Sequence, residues 1–314
     1  MDGVLIINKP KTWTSHDVVA KMRRILQERR IGHAGTLDPF ATGVLVLCIG
    51  QATRLSSYLT AADKTYVGRM RLGVATDTFD IEGQPVGAPR PVRITEAQLK
   101  KVFQQFTGAI MQRPPLYSAK KVNGQPLYKY ARQGLDVPRP LKPVVIHSLD
   151  LHGIDGEVVS FTAHCSRGTF VRALAQDIGE TLGCGAHLID LARTRSGSFT
   201  LEQSLDLVIN EEVDSNADRY VKHIVSMGKV LTELPAVIAS DSTVAQVLHG
   251  QNFTSGQVSG LMAETPGAVA LLSGDYRVLD QRGHLIAMAH RTGPVFHPTL
   301  VFNRSDVPPP LKDV

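Results

Sequence analysis

Cysteine and long apolar runs are both scarce in this sequence of 314 residues. It has three cysteines, Cys48, Cys165 and Cys184, and no Cys-x-x-Cys pair. An odd count without metal-ligand spacing argues against a disulfide framework and against a zinc site, so we expect no metal. No apolar run reaches the roughly 18 residues that a membrane-spanning helix needs, so we expect no contact with a membrane.

The amino-terminal residues also lack the pattern of a secretory signal, because Asp2 is acidic and the apolar run at 4–7 is short. We therefore expect a cytoplasmic protein. The composition, with 43% hydrophobic and 20% charged residues, is typical of a soluble globular chain. At about 100–200 residues per domain, the length predicts two domains, or one large domain with an appendage.

Positive charge is concentrated in residues 113–142, hereafter the basic segment. The formal net charge of the chain is +5, whereas this segment alone carries seven basic residues and one acid, which leaves −1 for the rest. Its basic residues are Arg113, Lys120, Lys121, Lys129, Arg132, Arg139 and Lys142. It also holds Tyr117, Tyr128 and Tyr130, three of the seven tyrosines. Clustered cations with aromatic rings are typical of RNA-binding surfaces, although a decorated surface loop can have the same composition.

Hydrophobic periodicity predicts the regular elements. Strands are predicted at 4–7, 65–74 and 157–166, and helices at 95–106, 127–133 and 170–182. A further helix is predicted to follow an N-cap at Ser15, and residues 44–49 are compatible with a buried strand or a buried helical turn. Arg172 lies near the start of a predicted helix, where the helix dipole disfavours a cation unless a carboxylate pairs with it.

Short strand-like runs dominate the chain beyond about residue 235. They lie at 269–272, 276–279, 285–289 and 300–302, with glycines between some of them. This texture predicts a small β-barrel or sandwich. Three consecutive prolines at 308–310 are expected to end the folded part.

Residues 31–43 are the candidate centre of the chemistry. Three glycines and a proline in thirteen residues predict a shaped loop rather than the interior of a helix or strand. The loop carries Asp38, and a carboxylate held in this way can be a nucleophile, a base or a metal ligand. It can also simply cap a turn. A metal site would recruit further ligands, and only His33 is close in sequence.

This loop resembles the catalytic motif of the TruB-type tRNA pseudouridine synthases. The pattern Gly-His-x-Gly-x-Leu-Asp-Pro-x-Ala-x-Gly runs without a break from residue 32 to residue 43. Further family-like blocks are Asn8-Lys9-Pro10, Lys64-Thr65-Tyr66, Thr76-Asp77-Thr78, Tyr117-Ser118-Ala119-Lys120 and residues 165–172, 185–188 and 193–197. Because the blocks are collinear and extend over about residues 3 to 200, the resemblance is specific.

The resemblance implies three catalytic residues. Asp38 matches the aspartate that attacks the target uridine, at C6 of uracil or at C1′ of ribose, before the base is released, turned and rejoined through C5. Arg172 matches the arginine that pairs with this aspartate, and such pairing keeps a carboxylate ionised. Tyr66 matches the tyrosine that stacks on the flipped uracil. No step needs a redox agent, so no cofactor is expected.

The resemblance also implies a set of substrate-binding residues. His33 matches the histidine that wedges into the T-loop, and Leu191 matches an apolar wall of the pocket. Phe170 departs from the family pattern, because many relatives have tyrosine there and this ring has no hydroxyl to form a hydrogen bond. The full predicted set is His33, Tyr66, Phe170, Leu191, Asp80, Lys9 and Lys120, with Asp80 in a supporting role.

The implied fold is α+β, the pseudouridine synthase fold, with a mixed, mainly antiparallel sheet flanked by helices. We expect a catalytic domain over 1–230, with 113–142 as an inserted RNA-binding flap. A small all-β, PUA-like RNA-binding barrel is expected over 231–314. The implied substrate is uridine-55 of tRNA, bound through the T-arm by a monomer.

Two other interpretations stay open on the sequence. The catalytic subunit of a guide-RNA-dependent ribonucleoprotein shares the central motif, but the absence of lysine-rich extensions favours the stand-alone bacterial type, which needs no guide RNA. An RNA chaperone that binds and refolds tRNA would use the same groups as catalysis does.

Overall fold

The computed structural model describes residues 1–209, 217–262 and 273–302. Its strands, numbered in chain order, are β1 Gly3–Lys9, β2 Ile31–His33, β3 Thr42–Ile49, β4 Lys64–Leu72, β5 Ala75–Thr76, β6 Pro85–Val86, β7 Gly108–Gln112, β8 Lys121–Val122, β9 Gln125–Pro126, β10 Lys142–Asp155, β11 Val158–Cys165, β12 Ala186–Ser196, β13 Phe199–Thr200, β14 Leu205–Asp206, β15 Ala236–Ala239, β16 Phe253–Thr254, β17 Val258–Met262, β18 Gly274–Leu279, β19 Leu285–Thr292 and β20 Val295–Val301. Its α-helices are α1 Ser15–Ile25, α2 Ser56–Ala61, α3 Glu96–Gln105, α4 Leu127–Arg132, α5 Val171–Thr181, α6 Asp218–Val221 and α7 Asp241–Leu248. None of the helices in these ranges is long and apolar enough to cross a bilayer.

A large mixed sheet forms the centre of the molecule. Its strand order is β14-β1-β3-β12-β4-β11-β10-β7, with β2 paired to β3 and β13 paired to β12. Most neighbouring strands are antiparallel, whereas β14 runs parallel to β1 and β12 runs parallel to β3. The predicted mixed, mainly antiparallel sheet is therefore confirmed.

Helices cover this sheet and fix its central strands. Phe103 of α3 and Leu174 of α5 are buried in one hydrophobic cluster with Phe161 of β11. The rings of Phe103 and Phe161 meet edge to face, with centroids 6.3 Å apart. Helix α1 packs its apolar stripe, which includes Val18 and Met22, in a separate cluster with β1 and β3. The strands that carry the predicted site residues are thus held by packed cores.

The start of α1 differs from the prediction by one residue. The predicted N-cap at Ser15 is wrong, because Thr14 takes that position and its side chain accepts a hydrogen bond from the Asp17 backbone N–H at 3.1 Å. The Asp17 carboxylate accepts from the Thr14 backbone N–H at 2.8 Å in return. Serine and threonine both make good N-caps, so propensity does not choose between adjacent residues.

The basic segment is inserted between β7 and β10. Strands β8 and β9 pair as a small hairpin, and α4 follows. The predicted glycine at the end of this helix is confirmed, since Gly134 has a φ of 68°, which favours glycine. Lys121 and Lys129 are exposed, and the Arg132 guanidinium lies 5.4 Å from the centroid of the Tyr128 ring. This inserted segment therefore carries cations and aromatic rings close together.

The carboxy-terminal strands form a second sheet in the order β16-β20-β19-β18-β15-β17. Its two edge strands, β16 and β17, are separated by only three residues, 255–257, so the sheet nearly closes into a barrel. Phe253 and Phe296 stack inside it with ring centroids 4.9 Å apart. The predicted small all-β unit is confirmed. The predicted strand at 269–272 and the proline tail at 308–310 lie outside the described residues.

Residues at the predicted domain boundary connect the two sheets. Val230 and Leu231 are buried in a hydrophobic cluster that contains Val46 of the first sheet and Met288 of the second. The barrel is thereby packed against the unit that contains the first sheet. The boundary at 230/231 itself stays a prediction.

Candidate active site

Asp38 lies in the loop between β2 and β3, which is anchored at several points. Ser15 Oγ accepts a hydrogen bond from the Leu37 backbone N–H at 2.9 Å and donates to the Leu37 carbonyl at 3.2 Å. Gly43 has a φ of +101°, and a Cβ at this position would collide with the backbone of Arg193. Only glycine permits both the conformation and the close approach. The loop therefore holds its carboxylate in a defined place.

Arg193 of β12 supports this loop from below. Its side chain is 1% exposed and donates through Nε to the Val44 carbonyl at 2.7 Å. Its Nη2 donates to the Gly35 carbonyl at 3.0 Å. A buried guanidinium is stable only when its donors are satisfied, and here backbone carbonyls of the catalytic loop satisfy them.

Lys9, predicted to bind substrate, lies under the loop and does not line the pocket. It is fully buried, and its Nζ donates to the carbonyls of Pro10 at 2.9 Å, Trp13 at 2.6 Å and Pro39 at 3.2 Å. Burial lowers the pKa of Lys9 to about 8, and the negative charge of Asp38 opposes that shift. Lys9 thus holds the residue that follows the carboxylate, which is a positioning role.

Arg172, near the start of α5, forms the predicted ion pair with Asp38. Its Nε lies 2.8 Å from Asp38 Oδ2 and its Nη2 lies 2.9 Å from Oδ1, a bidentate arrangement. The remaining N–H groups reach the Thr78 carbonyl at 3.0 Å, the Tyr117 carbonyl at 2.9 Å and Asp80 Oδ2 at 3.2 Å. Four of the five guanidinium N–H groups, those of Nη1 and Nη2, donate hydrogen bonds, whereas Nε contacts Asp38 at ion-pair distance without donating one. Arg172 has one orientation because its two terminal nitrogens donate to fixed partners.

The two members of this pair differ in exposure. The side chain of Arg172 is 5% exposed, whereas that of Asp38 is 33% exposed and open toward the pocket. Burial raises the pKa of the Asp38 carboxyl, the positive charge of Arg172 lowers it, and the negative charge of Asp80 raises it. The net direction is upward. Arg172 therefore counters burial and extends the pH range over which the carboxylate is ionised.

Asp80 is the third member of this charged group. Its Oδ1 accepts from Thr78 Oγ1 at 2.6 Å and from the Glu82 backbone N–H at 3.1 Å. Its Oδ2 faces Arg172, and the residue is 3% exposed. The structure places Asp80 behind Arg172 and outside the pocket lining, where it orients the arginine.

Gln112, at the end of β7, determines where α5 begins. It is 2% exposed, its Oε1 accepts from the Phe170 backbone N–H at 2.8 Å, and its Nε2 donates to the Phe170 carbonyl at 3.0 Å. Phe170 is the N-cap position of α5 and makes no cap hydrogen bond with its own side chain. A residue from a distant strand thus fixes the backbone just before α5, the helix that carries Arg172 to Asp38.

Asp38, Arg172 and Arg193 line a pocket of about 250 Å³. Six predicted site residues line it, namely Asp38, Tyr66, Lys120, Phe170, Arg172 and Leu191. Tyr66 of β4 and Leu191 of β12 come from adjacent strands and form apolar walls beside the carboxylate. Burial raises the pKa of the Tyr66 hydroxyl, with Arg193 opposing, so this side chain is a neutral ring at neutral pH. The result is an apolar slot with one carboxylate at its end.

His33 ends β2 and lies outside the pocket lining. Within the described residues its buried Nδ1 has no hydrogen-bond partner. Burial lowers the pKa of His33, and the nearby charges of Arg193 and His16 act in the same direction. The half-buried imidazole is therefore neutral at neutral pH, which suits a ring that stacks on bases.

The sequence analysis assigned no role to three residues of this site: Arg193, Gln112 and Lys64. A signal existed for Arg193, because period-two alternation places it on the same strand face as Leu191. Lys64 lines the pocket, and burial lowers its pKa to about 8. Gln112 had no local signal, since its partner lies 58 residues away. The described residues place no cluster of metal ligands in this pocket.

Two family models match consecutive parts of the chain. The TruB family pseudouridylate synthase N-terminal domain matches residues 23–171, and the tRNA pseudouridylate synthase B C-terminal domain matches residues 172–231. The tRNA pseudouridine synthase B of Solibacter usitatus is 41% identical over 306 residues, which cover 96% of this chain and 100% of that protein. The protein of the same name from Geobacillus thermodenitrificans is 45% identical over 282 residues, which cover 87% and 91% of the two chains.

A solved structure extends the similarity to the whole fold. A chain in the crystal structure of a Cbf5-Nop10-Gar1 complex superimposes with a TM-score of 0.73 and 30% sequence identity, covering 97% of this chain and 86% of that one. The predicted pseudouridine synthase fold with a PUA-like carboxy-terminal barrel is thereby confirmed. With its ion pair, its apolar slot and these relatives, the chain belongs to the TruB family of pseudouridylate synthases, which are isomerases.

Proposed function

We propose that this enzyme converts uridine-55 in the T-loop of tRNA to pseudouridine and needs no guide RNA. Relatives named tRNA pseudouridine synthase B are 41% and 45% identical to it, whereas the chain from the Cbf5-Nop10-Gar1 complex is 30% identical. The observation that carries the proposal is the bidentate pair of Asp38 and Arg172 at the end of an apolar slot.

The target uridine has to leave its base stack to reach Asp38. Unstacking costs a few kcal/mol, and stacking on an aromatic side chain recovers about 1–3 kcal/mol per base. Tyr66 and Phe170, which line the slot, therefore offset the cost of one flipped base. We assign His33 to the space that the base leaves, and Lys120 at the pocket to a backbone phosphate.

Asp38 is the nucleophile in this proposal. Its carboxylate attacks C6 of uracil or C1′ of ribose. In either route the N1–C1′ bond breaks, the base turns, a C5–C1′ bond forms, and the bond between Asp38 and the nucleoside breaks, which returns the free carboxylate. C5 loses its proton and N1 gains one, so the product is an isomer and no oxidant or reductant is consumed. Arg172 keeps the carboxylate charged and aimed, which is the orientation that a positioned nucleophile needs.

RNA contacts outside the pocket fall on two surfaces. We assign the basic segment to the T-arm, because its exposed Lys121, Lys129 and Arg132 can neutralise phosphates. We assign the barrel, which exposes Arg282, to the acceptor side of the tRNA. Both surfaces lie on the same chain, and we propose that it acts as a monomer.

Tritium release from C5-labelled uridine in a tRNA transcript tests this function. We expect release by the wild-type protein alone, and none from a transcript with cytidine at position 55. Asp38→Asn should abolish release. The matched control is Asp190→Asn, which alters an exposed aspartate of β12 paired with Arg69 and should leave release unchanged. Equal release by wild type and Asp38→Asn would remove Asp38 from the mechanism.

Two further experiments test the guide-RNA-dependent and RNA-chaperone interpretations. Release that begins only after a guide RNA and partner proteins are added would favour the ribonucleoprotein subunit, since this chain is structurally similar to a chain of the Cbf5-Nop10-Gar1 complex, with a TM-score of 0.73. In cells, full rescue of a null strain by Asp38→Asn would favour an RNA chaperone, because that variant keeps the binding surfaces and loses only the nucleophile.

A further inference from the structure

A cluster of metal-ligating side chains lies outside the pocket, on the open face of the first sheet. It consists of Asp63, His147 and His164, whose nearest ligand atoms all lie within 4.8 Å of one another. We propose that these three residues bind a divalent transition-metal ion of the zinc, nickel or cobalt class. The proposed reaction uses none of them.

A β-bulge brings the two histidines together. Along the β10–β11 pair, Ile146 lies opposite Cys165 and Ser148 lies opposite His164, so His147 is the extra residue on β10. Bulges re-aim a side chain out of the regular alternation. His164 is half-buried between the buried Ala163 and Cys165, so period-two alternation turns it to the open face of the sheet.

Asp63 completes the cluster from the next strand. It directly precedes β4, which pairs with β11 so that Lys64 lies opposite Cys165. Its Oδ2 lies 3.1 Å from His147 Nε2. Three neighbouring strands, β4, β11 and β10, thus each place one ligand at the same end of the sheet.

The spacing fits one ion between the side chains. Two ligand atoms about 2.0–2.1 Å from a tetrahedral zinc ion lie about 3.4 Å apart, close to the 3.1 Å between Asp63 and His147. The rings of His147 and His164 have centroids 4.7 Å apart and planes at 40°. All three ligand atoms lie within 4.8 Å of one another, so a bound ion would require the more distant pairs to draw closer by side-chain rotation.

The ligand types select the ion. Two imidazoles with one carboxylate suit zinc, nickel, copper or cobalt, whereas magnesium and calcium prefer sites made entirely of oxygen. Three protein ligands leave a further position open to water. Asp63 and His147 are 48% and 37% exposed, so an ion can enter from solvent.

A bound ion would add a further link between three strands that hydrogen bonds and a shared hydrophobic cluster already join. Strand β10 begins at Lys142, the last residue of the basic segment, and His147 lies five residues further on. The ion would therefore brace the strand by which the flap rejoins the sheet. Lys64, next to Asp63, lines the active-site pocket, so the brace lies beside the site without entering it.

Metal titration of the full-length, metal-stripped protein tests the proposal. We expect one equivalent of Co²⁺ to bind with a visible absorption band, and Zn²⁺ to displace it. His147→Ala and His164→Ala should each weaken binding at least about 10-fold, since even the loss of an outer-shell partner costs 10–100-fold. The matched control is His152→Ala, an exposed histidine of the same strand that lies 2.6 Å from Thr162 Oγ1. It should bind as wild type does.

Thermal unfolding gives a second readout. Zn²⁺ should raise the Tm of the wild type and of His152→Ala, because a ligand that binds only the folded state stabilises it. It should not raise the Tm of His164→Ala. The absence of saturable binding near one equivalent, or equal affinity in wild type and His147→Ala, would overturn the site.

Discussion

Replacement of Arg172 by lysine would keep a positive charge beside Asp38 but remove the geometry that holds the carboxylate. Two nitrogens of the arginine contact the Asp38 carboxylate, Nε at an ion-pair distance of 2.8 Å and Nη2 through a hydrogen bond of 2.9 Å, and Nη1 donates to Asp80 at 3.2 Å. An ammonium carries its donors on one nitrogen and lacks the planar fork that binds both carboxylate oxygens. We therefore expect Arg172→Lys to fold and to retain its charge, but to release Asp38 from a single orientation.

The size of the effect follows from the lost contacts. A displacement of a reacting group by about 1 Å can cost about 10²-fold in rate. The loss of one charge-assisted hydrogen bond, worth about 1.5–3 kcal/mol, gives a similar factor of about 10 to 10². We expect the chemical step to slow about 10²-fold. Binding of tRNA should change little, because Arg172 is 4% exposed.

Single-turnover tritium release from C5-labelled tRNA transcript measures the chemical step, and filter binding measures the tRNA Kd. The matched control is Arg69→Lys. Arg69 of β4 pairs with Asp190 at 3.2 Å, but the two side chains are 54% and 42% exposed. Exposed pairs of this kind contribute about 0–1 kcal/mol, so this variant should react at the wild-type rate.

A wild-type single-turnover rate in Arg172→Lys would refute the reasoning, because charge alone would then suffice and the bidentate geometry would be irrelevant. A tenfold or greater weakening of tRNA binding with an unchanged rate would contradict it as well. Urea unfolding of both lysine variants checks that the comparison is made on folded protein.

Three further predictions follow from the same geometry. Activity should be lost on acidification at a higher pH than an ordinary aspartate would give, because the pKa of Asp38 is raised and only its ionised form reacts. In Asp80→Asn the acid limb of the pH–activity profile should move to lower pH, because a negative charge that raises the pKa of Asp38 is removed. Lys129→Ala should lower the slope of log Kd against log salt by about 0.7–0.9 and leave the single-turnover rate unchanged. Gln112→Ala should lower the free energy of unfolding by about 1–3 kcal/mol, measured in urea, because the part-buried N–H of Phe170 loses its partner and the Phe170 carbonyl keeps only the Leu174 N–H.

Each of these has a contradicting outcome. An acid limb that stays in place in Asp80→Asn would show that Asp80 does not act on the Asp38 charge. An unchanged salt slope in Lys129→Ala would place the phosphate contact elsewhere, with Lys100→Ala, an exposed lysine of α3, as the matched control. If Gln112→Ala unfolds at the same urea concentration as the wild type, the two hydrogen bonds between Gln112 and Phe170 do not stabilise the start of α5.

Regular elements were predictable where the local pattern is strong. The strand predicted at 157–166 is β11, at Val158–Cys165, and the helix predicted at 95–106 is α3, at Glu96–Gln105. Period-two and period-3.6 hydrophobic patterns determine these because each element buries one face. The predicted N-cap of α1 was wrong by one residue, because Thr14 and Ser15 both carry a hydroxyl that can cap a helix. The Ser15 hydroxyl instead accepts a hydrogen bond from the Leu37 backbone N–H, a contact that the sequence alone does not reveal.

By itself, the sequence determined the catalytic loop, the location of positive charge and the family motif that named Asp38, Arg172 and Tyr66. These are properties of short stretches of sequence, and their chemistry can be inferred without coordinates. Only the tertiary structure decided which partners meet across long separations. It brought Arg193 to Gly35 across 158 residues and Gln112 to Phe170 across 58, and it placed Lys9 beneath the loop. Such contacts depend on how the strands pair in the sheet, which no local pattern specifies.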